Sequence, residues 1–337
     1  MMKITHRLSL ILIVVIFPVI SVFSQNQTHN ISILFYDLSM KNLDDQKIKS
    51  ISETIEKSQC EIAIFAAISN QEILKKIITS NSSFKYRIYD RNLKNDILLL
   101  ISKIKPQKFS IEIKEYKIKN DKNNNDEILK TKPFIITKFM VENYEFYTIC
   151  ASVKDKTPVP EFNQFDMRRY EIRQLRYIFD DIIKEEPEAN ILILGNLNDT
   201  CDMSTVKEIY ARRYGNKKRL FDIRPIDKLK TTWTSWNQET DEYERICYAL
   251  CSYHMLPELI REESQIIWND DWLSISNNRP LLLKFTTTEM QEFSDKYLNA
   301  IYPNSIYSEI AAHFEKDKLI GEKAKRKSPE YNVKNKK

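Results

Sequence analysis

Glycine is scarce in this chain, with three residues in 337. Few backbone positions can then turn through left-handed space or approach another backbone closely without strain, so a glycine at a strand end marks a place of need. Histidine is equally thin: apart from His6 the chain holds only His29, His254 and His313, which confines imidazole chemistry to those positions. The cysteines Cys60, Cys150, Cys201, Cys247 and Cys251 have neither the CxxC spacing of a zinc site nor the density of a small disulfide scaffold. Cys60 and Cys150 adjoin apolar segments and read as buried thiols. Their odd total leaves at least one thiol free or paired between chains. After residue 24 no apolar run is long enough to span a bilayer. An excess of one charge is missing too. The net +5 of the whole chain equals the excess in residues 315–337, nine Lys and Arg against four acids, so the remainder is nearly neutral. That balance argues against a domain-wide basic footprint for nucleic acid.

What is present begins with an export signature. Lys3, His6 and Arg7 precede an apolar run over residues 8–23 that ends in the small-residue exit Val22-Phe23-Ser24. Residues 1–24 therefore read as a signal peptide, with secretion or a periplasmic or cell-envelope location expected and a mature chain starting near Gln25. The run is shorter than the roughly 20 residues of a bilayer span, and a retained N-terminal anchor is the competing reading. Residues 25–286 have the size of a sandwich or an α/β enzyme. Residues 287–320 read as a helical extension. Residues 321–337 read as a basic, solvated tail, with a tether to nucleic acid or an anionic surface as its alternative role.

Apolar strands are expected over 31–36 and 61–67, separated by a helix that starts at Asp44 or Asp45 and repeats Ile48, Ile51 and Ile55 at helical spacing. Asn70 can cap a helix over 71–79. Strands at 85–89, 96–101 and 109–116 follow, so the strand-helix-strand order gives way to a meander. The polar tip 120–127 (NDKNNNDE) reads as an exposed hairpin loop, and strands 134–141 and 144–151 pair around Glu142-Asn143. A long helix over 163–184 carries Arg168, Arg169, Arg173 and Arg176, which read as a solvated face balanced by Glu171, Asp180 and Asp181. A strand at 189–194, a helix at 204–214, short strands at 231–236 and 245–252, and a closing strand at 280–285 complete the order. The sequence thus predicts an α+β fold, a four-layer α/β-sandwich of two mixed, mostly antiparallel sheets flanked by helices, rather than a doubly wound parallel sheet.

The most telling stretch is PEANILILGNLNDT, residues 187–200, where a buried-type strand runs into Gly195 and then into Asn196-Leu197-Asn198-Asp199. A phosphate-cleaving enzyme would place carboxylates for a divalent cation at such a turn. Here stand two amides and a single acid. With four further strings in matching order, this turn resembles the endonuclease/exonuclease/phosphatase superfamily, the DNase I-like metal-dependent phosphodiesterases, and above all its secreted members from Bacteroidetes-type bacteria. The resemblance covers about residues 31–285.

SILFYDLSMKNL at Ser32 resembles the family's opening strand, which ends in an Asn that contacts metal or phosphate; Asp37 takes that place. CEIAIFAAI at Cys60 resembles the strand that ends in the metal-binding Glu, where Ala67 stands instead. In the Gly-Asp-x-Asn-Asp turn, Gly195, Asn198 and Asp199 match, while Asn196 replaces the catalytic Asp. RICYALCS at Arg245 carries Cys247 in place of an Asp. SNNRPLLLKF at Ser276 keeps the serine of a Ser-Asp-His turn but has Asn277 and Asn278 for the other two. A family His after the meander falls near Ser152.

The resemblance implies a carboxylate-held Mg²⁺, an Asp that positions water and a His oriented by a second Asp. Ala67 supplies no ligand, Asn196 has neither charge nor useful basicity, and Asn278 cannot become cationic near neutral pH. The expectation is an exported, catalytically inactive protein of this fold that acts by binding an unknown ligand or protein and needs no cofactor. The rival is a Mg²⁺-dependent phosphodiesterase, nuclease or phosphatase with a rearranged site drawn from Asp37, Asp199, Asp202, Asp270 and Asp271, with Asp37 and Asp199 as its metal candidates. An unrelated α/β surface protein is a third possibility. For ligand binding the candidates are Asn198, whose bland role is to hold an Asx-turn, and Arg279, which binds an anion or pairs with a nearby acid. Trp233, Trp236, Trp268 and Trp272 are expected in packing, or as an aromatic rim on which a ligand stacks.

Overall fold

The computed structural model describes residues 29–39, 43–210, 220–268 and 272–289. The expected signal peptide, the basic tail and the helical extension past residue 289 lie outside them. β1 (Asn30–Asp37) and β2 (Ile62–Ile68) pair in parallel and are joined by α1 (Asp45–Ser58). α2 (Gln71–Ser80), β3 (Tyr86–Tyr89) and β4 (Ile97–Ser102) follow. β5 (Pro106–Glu112) enters a second sheet, β6 (Glu115–Lys119) and β7 (Asp126–Lys130) form a hairpin of their own, and β8 (Phe134–Val141) and β9 (Tyr144–Ser152) return to the second sheet. α3 (Gln164–Glu185) joins β9 to its parallel neighbour β10 (Ile191–Asn196). The remainder is α4 (Ser204–Tyr210), β11 (Leu220–Asp222), the hairpin β12 (Ser235–Asn237) and β13 (Glu242–Glu244), β14 (Cys247–Ser252), β15 (Gln265–Ile266), α5 (Trp272–Ile275) and β16 (Leu281–Thr286).

The two principal sheets run β15-β16-β1-β2-β4-β3 and β11-β14-β10-β9-β8-β5. Each is antiparallel except for one central parallel pair, β1 with β2 and β9 with β10. Three apolar clusters define the layers. Ile33, Phe35, Ile64, Phe146, Leu192, Leu194 and Leu283 lie between the sheets. Leu34, Tyr36, Ile51, Ile55, Phe65 and Ile77 pack α1 and α2 onto the first sheet. Ile149, Ile172, Leu175, Phe179, Ile191 and Ile193 pack α3 onto the second. Helices, sheet, sheet, helices: the four-layer α+β sandwich expected from the sequence is the fold observed. Strands buried on both faces lose the period-two alternation and read as continuous apolar runs, as ISILFY and ILIL do.

Local sequence fixes the helix starts. The Asp44 side chain accepts the Lys47 N–H, Asn70 accepts those of Glu72 and Ile73, and Asn163 accepts that of Phe165, each satisfying donors orphaned in a first turn. Gly195 is required by close approach: a Cβ there would lie 2.5 Å from the Ala151 carbonyl oxygen, backbone of the adjacent parallel strand.

Four expectations are corrected. Residues 109–116 do not form one strand. The Lys114 N–H donates to Thr131 Oγ1 at 3.0 Å and the Thr131 N–H donates to the Lys114 carbonyl at 2.8 Å, so the chain leaves β5 and starts the β6–β7 hairpin. The strand expected at 231–236 reduces to β12, because Thr234 Oγ1 instead accepts the N–H groups of Ile246 and Cys247. The basic face of α3 is not all solvated: Arg168 and Arg176 are buried, the first on Asp199 and the second on Asp180 and the Ile209 carbonyl. The packing of α4 against α3 explains why, since an arginine sealed under a neighbouring helix must be paired. The fourth is Arg279 as an anion ligand, since its guanidinium is buried on Asp227. All five cysteines are free thiols, with Cys201 alone exposed.

Candidate functional site

The parallel pairs place the C-terminal ends of β1, β2, β9 and β10 at one end of the sandwich, the position where open α/β sheets hold ligands. A cleft of about 570 Å³ opens there. Its walls include Asp37, Ala67, Ser152, Asn196, Asn198, Asn277 and Asn278, so strand-end positions from both sheets converge as the sequence motifs suggest.

Asp37 is the centre of the floor. It is 2% exposed, and neutral donors occupy both of its carboxylate oxygens. Asn196 Nδ2 donates to Oδ2 at 2.7 Å, and Asn278 Nδ2 donates to Oδ1 at 3.1 Å and to Ser39 Oγ at 2.7 Å. The Ser39 N–H donates to the same Oδ1 at 3.0 Å. Asp37 ends a strand of the first sheet and Asn196 one of the second, so this clamp joins the layers across the cleft. Burial pushes the Asp37 carboxyl above its ordinary range, against the lowering effect of hydrogen bonds from Asn196 and Ser39. Ser276 Oγ donates to the Asp37 carbonyl at 2.7 Å and accepts the Asn278 N–H at 3.0 Å, which fixes the turn before β16.

Asn196 and Asn198 are locked from below. The Asn198 N–H donates to Asn196 Oδ1 at 2.8 Å, an Asx-turn, and Asn198 Nδ2 donates to the Val153 carbonyl at 2.8 Å. Asn198 sits at φ 54°, a left-handed conformation that asparagine tolerates better than most residues. Ala67 also has positive φ, 56°, at an irregularity in the β2–β4 ladder between Phe65 and Ile68. Ser152 lies opposite Asn196 in the parallel ladder, and Cys247 lies opposite it in the antiparallel one. Cys247 is buried behind the cleft wall, with its thiol driven well above its ordinary value by burial and then by the Asp37 charge.

Two candidates do not reach the cleft. Asp199 is 2% exposed; its Oδ2 accepts from Arg168 Nε at 2.8 Å and from Thr205 Oγ1 at 2.7 Å, so it holds α3 and α4 against the turn. Arg279, read from the sequence as an anion ligand or as the partner of a nearby acid, is fully buried and takes the second role. It donates through Nη1 to Asp227 at 2.7 Å, and its guanidinium carbon lies 3.2 Å from the centroid of the Trp233 ring. Its charge is spent inside the fold. Burial pushes the Asp227 carboxyl up, but Thr231 and Arg279 outweigh it and hold it at about 2. Trp233 and Trp268 pack on this buried arginine and on each other, Trp272 packs against Trp233, and Trp236 lines the cleft.

Several wall residues carry no motif in the sequence: Asn95, Asp96, Lys132, Asp155, Asn237 and Glu244. Asn95, Asp96, Lys132 and Asp155 arrive on loops and Asn237 and Glu244 on the β12–β13 hairpin. Lys132 Nζ lies 2.5 Å from Asp96, Lys156 Nζ donates to Glu244 at 2.8 Å, and Lys154 pairs with Asp155.

The donor set does not fit a magnesium ion held as the resemblance implies. Ala67 offers no side-chain oxygen, both Asp37 oxygens accept from amide or backbone donors, Asn196 Oδ1 accepts a backbone N–H, and Asp199 is sealed on Arg168. Mg²⁺ prefers one or two carboxylates and retained waters in near-octahedral array. Among the described residues, no three His, Cys, Asp or Glu side chains are grouped to hold a metal. Asp270 and Asp271 lie outside those residues.

No protein-family model and no curated protein matches this sequence. Solved structures do share its architecture. An endonuclease/exonuclease/phosphatase family protein from Bacteroides thetaiotaomicron is similar with a TM-score of 0.54 at 10% identity, over 79% of this chain and 99% of its own. Truncated TDP2 from Caenorhabditis elegans gives 0.51 at 13% identity, over 76% and 97%. D. rerio TDP2 complexed with single strand DNA product gives 0.50 at 11%, over 76% and 99%. The chain therefore has the DNase I-like fold of the endonuclease/exonuclease/phosphatase proteins. Identities this low establish the fold and no more.

Proposed function

We propose that this chain is an exported protein of the DNase I-like fold that acts by binding and does not hydrolyse phosphate esters. One observation carries this: the single carboxylate at the floor of the cleft, Asp37, has both oxygens taken up by the amides of Asn196 and Asn278 and is buried. A ligand for a dication must present unshared oxygen pairs, and a general base must present a basic atom to water. Asp37 is buried with Oδ1 accepting twice and Oδ2 once, so at most one oxygen pair is left for a dication, and its amide partners have no basicity to substitute. General acid–base help contributes about 10²–10⁴-fold, so its loss together with that of the metal leaves no measurable turnover. Export rests on the basic-then-apolar segment over residues 1–24. None of the described helices is long and apolar enough to cross a membrane.

Calorimetric titration with MgCl₂ and MnCl₂, alongside assays with bis-p-nitrophenyl phosphate and supercoiled plasmid, tests the proposal. Neither saturable metal binding nor metal-dependent turnover is expected. Turnover abolished by Asp37→Asn would overturn it.

A further inference from the structure

We infer that the cleft binds a neutral, hydroxyl-rich sugar ring that stacks on Trp236. This rests on the binding reading above and names its ligand class. The cleft, about 570 Å³, lies within the range of small-ligand sites. Its walls are predominantly uncharged hydrogen-bonding groups, among them Ser69, Asn95, Asn198, Ser235, Asn237 and Asn277. The lysines at and beside the cleft are each matched to an acid: Lys132 to Asp96, Lys154 to Asp155 and Lys156 to Glu244. A phosphate or nucleic-acid backbone entering here would meet Asp37 and three paired carboxylates with no uncommitted lysine among those three to offset its charge, an arrangement that disfavours anions.

One acceptor at the floor lacks a protein donor. Asn278 is 2% exposed, gives both its donor contacts to Asp37 and Ser39, and leaves Oδ1 without a protein donor. A phosphodiester has no proton for such an atom, whereas a sugar hydroxyl both donates and accepts.

The aromatic element is built beforehand. The β12–β13 hairpin carries Trp236, half-buried, at the cleft wall. Its indole Nε1–H donates to Asp241 at 3.0 Å. Tyr243 stacks on it at 5.9 Å with 10° between planes, and Trp272 packs against it at 6.5 Å. The hairpin is in turn bonded to the clamp, because the Trp236 N–H donates to the Asn277 carbonyl at 3.0 Å and Ser235 bridges to Asn278. A rigid ring with dispersed amides around it suits the apolar face and the equatorial hydroxyls of a pyranose.

The test is titration of the full chain, by calorimetry and tryptophan fluorescence, with cellohexaose, maltohexaose, xylohexaose, mannohexaose and laminarihexaose, compared with adenosine, inorganic phosphate and single-stranded oligo(dT). Saturable binding of at least one hexaose is expected. Trp236→Ala should weaken it by about tenfold or more and Trp236→Tyr by no more than about threefold, with circular dichroism unchanged. Where Trp236→Ala does not fold, Asn237→Ala takes its place with the same expected loss. Flat titrations with every hexaose, or equal affinity in the folded variant, overturn the inference. Adenosine, phosphate or oligo(dT) binding without sugar binding overturns the ligand class and leaves the binding reading standing. Metal-dependent cleavage overturns that reading itself.

Discussion

At the scale of single residues, the cleft floor differs from the family pattern by an exchange as much as by a loss. Where the resemblance places an amide on the first strand and a carboxylate on the strand carrying Gly195, this chain has Asp37 and Asn196, 2.7 Å apart and hydrogen-bonded across the two sheets. The pair keeps one carboxylate and one amide with their ends reversed. Reversal matters because Asn278, where the resemblance implies an imidazole, also donates its amide to Asp37. Asp37→Asn would set a third amide between two donors, leaving at least one buried N–H unpaired at a cost of about 1–3 kcal/mol. The double variant Asp37→Asn with Asn196→Asp restores a carboxylate facing an amide. Urea unfolding of wild type, both single variants and the double is expected to show the double recovering most of that loss, with a coupling energy of about 1 kcal/mol or more. Additive losses would show that the Asp37–Asn196 bond does not hold the floor together.

At the scale of elements, the strand ends at the cleft have marked backbone geometry. β2 breaks its ladder with β4 between Phe65 and Ile68, and Ala67, on the cleft wall, takes φ 56° there. Left-handed backbone costs a Cβ-bearing residue roughly 1–2 kcal/mol, a penalty glycine escapes at some expense in unfolded-state entropy. Ala67→Gly is therefore expected to stabilise the protein by about 0.5–1 kcal/mol in urea unfolding; a destabilised variant would mean that packing of the methyl group outweighs the strain. Elements were also where the sequence was most legible. Strands sandwiched between two cores show unbroken apolar runs, and helices packed on one side show the spacing of Ile48, Ile51 and Ile55. β11, β12, β13 and β15, at two or three residues each, are too short to carry a period, and their place follows from partners distant in sequence. The arginines of α3 misled for a related reason: charge on a helix reads as solvent exposure until a partner such as Asp199, 31 residues away, is brought to it. Strand-end positions in the cleft could be located from motif order, but the loop-borne Asp96, Lys132 and Asp155 could not, because only tertiary closure sets them side by side.

At the scale of the whole molecule, one titratable group ties the outer helix layer to the cleft loops. Glu171, on α3, is 3% exposed; its Oε2 accepts the Lys154 N–H at 2.7 Å, and the Lys132 backbone also donates to it. Lys132 and Asp155 line the cleft, so this carboxylate anchors two of its wall segments. The titratable groups facing it are Lys132, Lys154 and the Tyr116 hydroxyl, which comes from the β6–β7 hairpin. Burial drives Glu171 up to about 7, against the lowering effect of its backbone donors and the two lysines. An acid whose folded value lies above its unfolded one binds more protons when folded. Its contribution to stability is therefore full below about pH 4.5, the unfolded range, and is lost as pH rises through about 7. The shift corresponds to at most about 3 kcal/mol across that window. Glu171→Gln keeps an acceptor for the Lys154 N–H and carries no proton to lose. Unfolding free energies measured by urea from pH 5 to pH 8 are then expected to fall with rising pH more steeply in wild type than in the variant, the two curves converging toward neutral pH or crossing there. Parallel curves would assign the pH dependence to groups other than Glu171 and leave the cleft loops anchored independently of its charge.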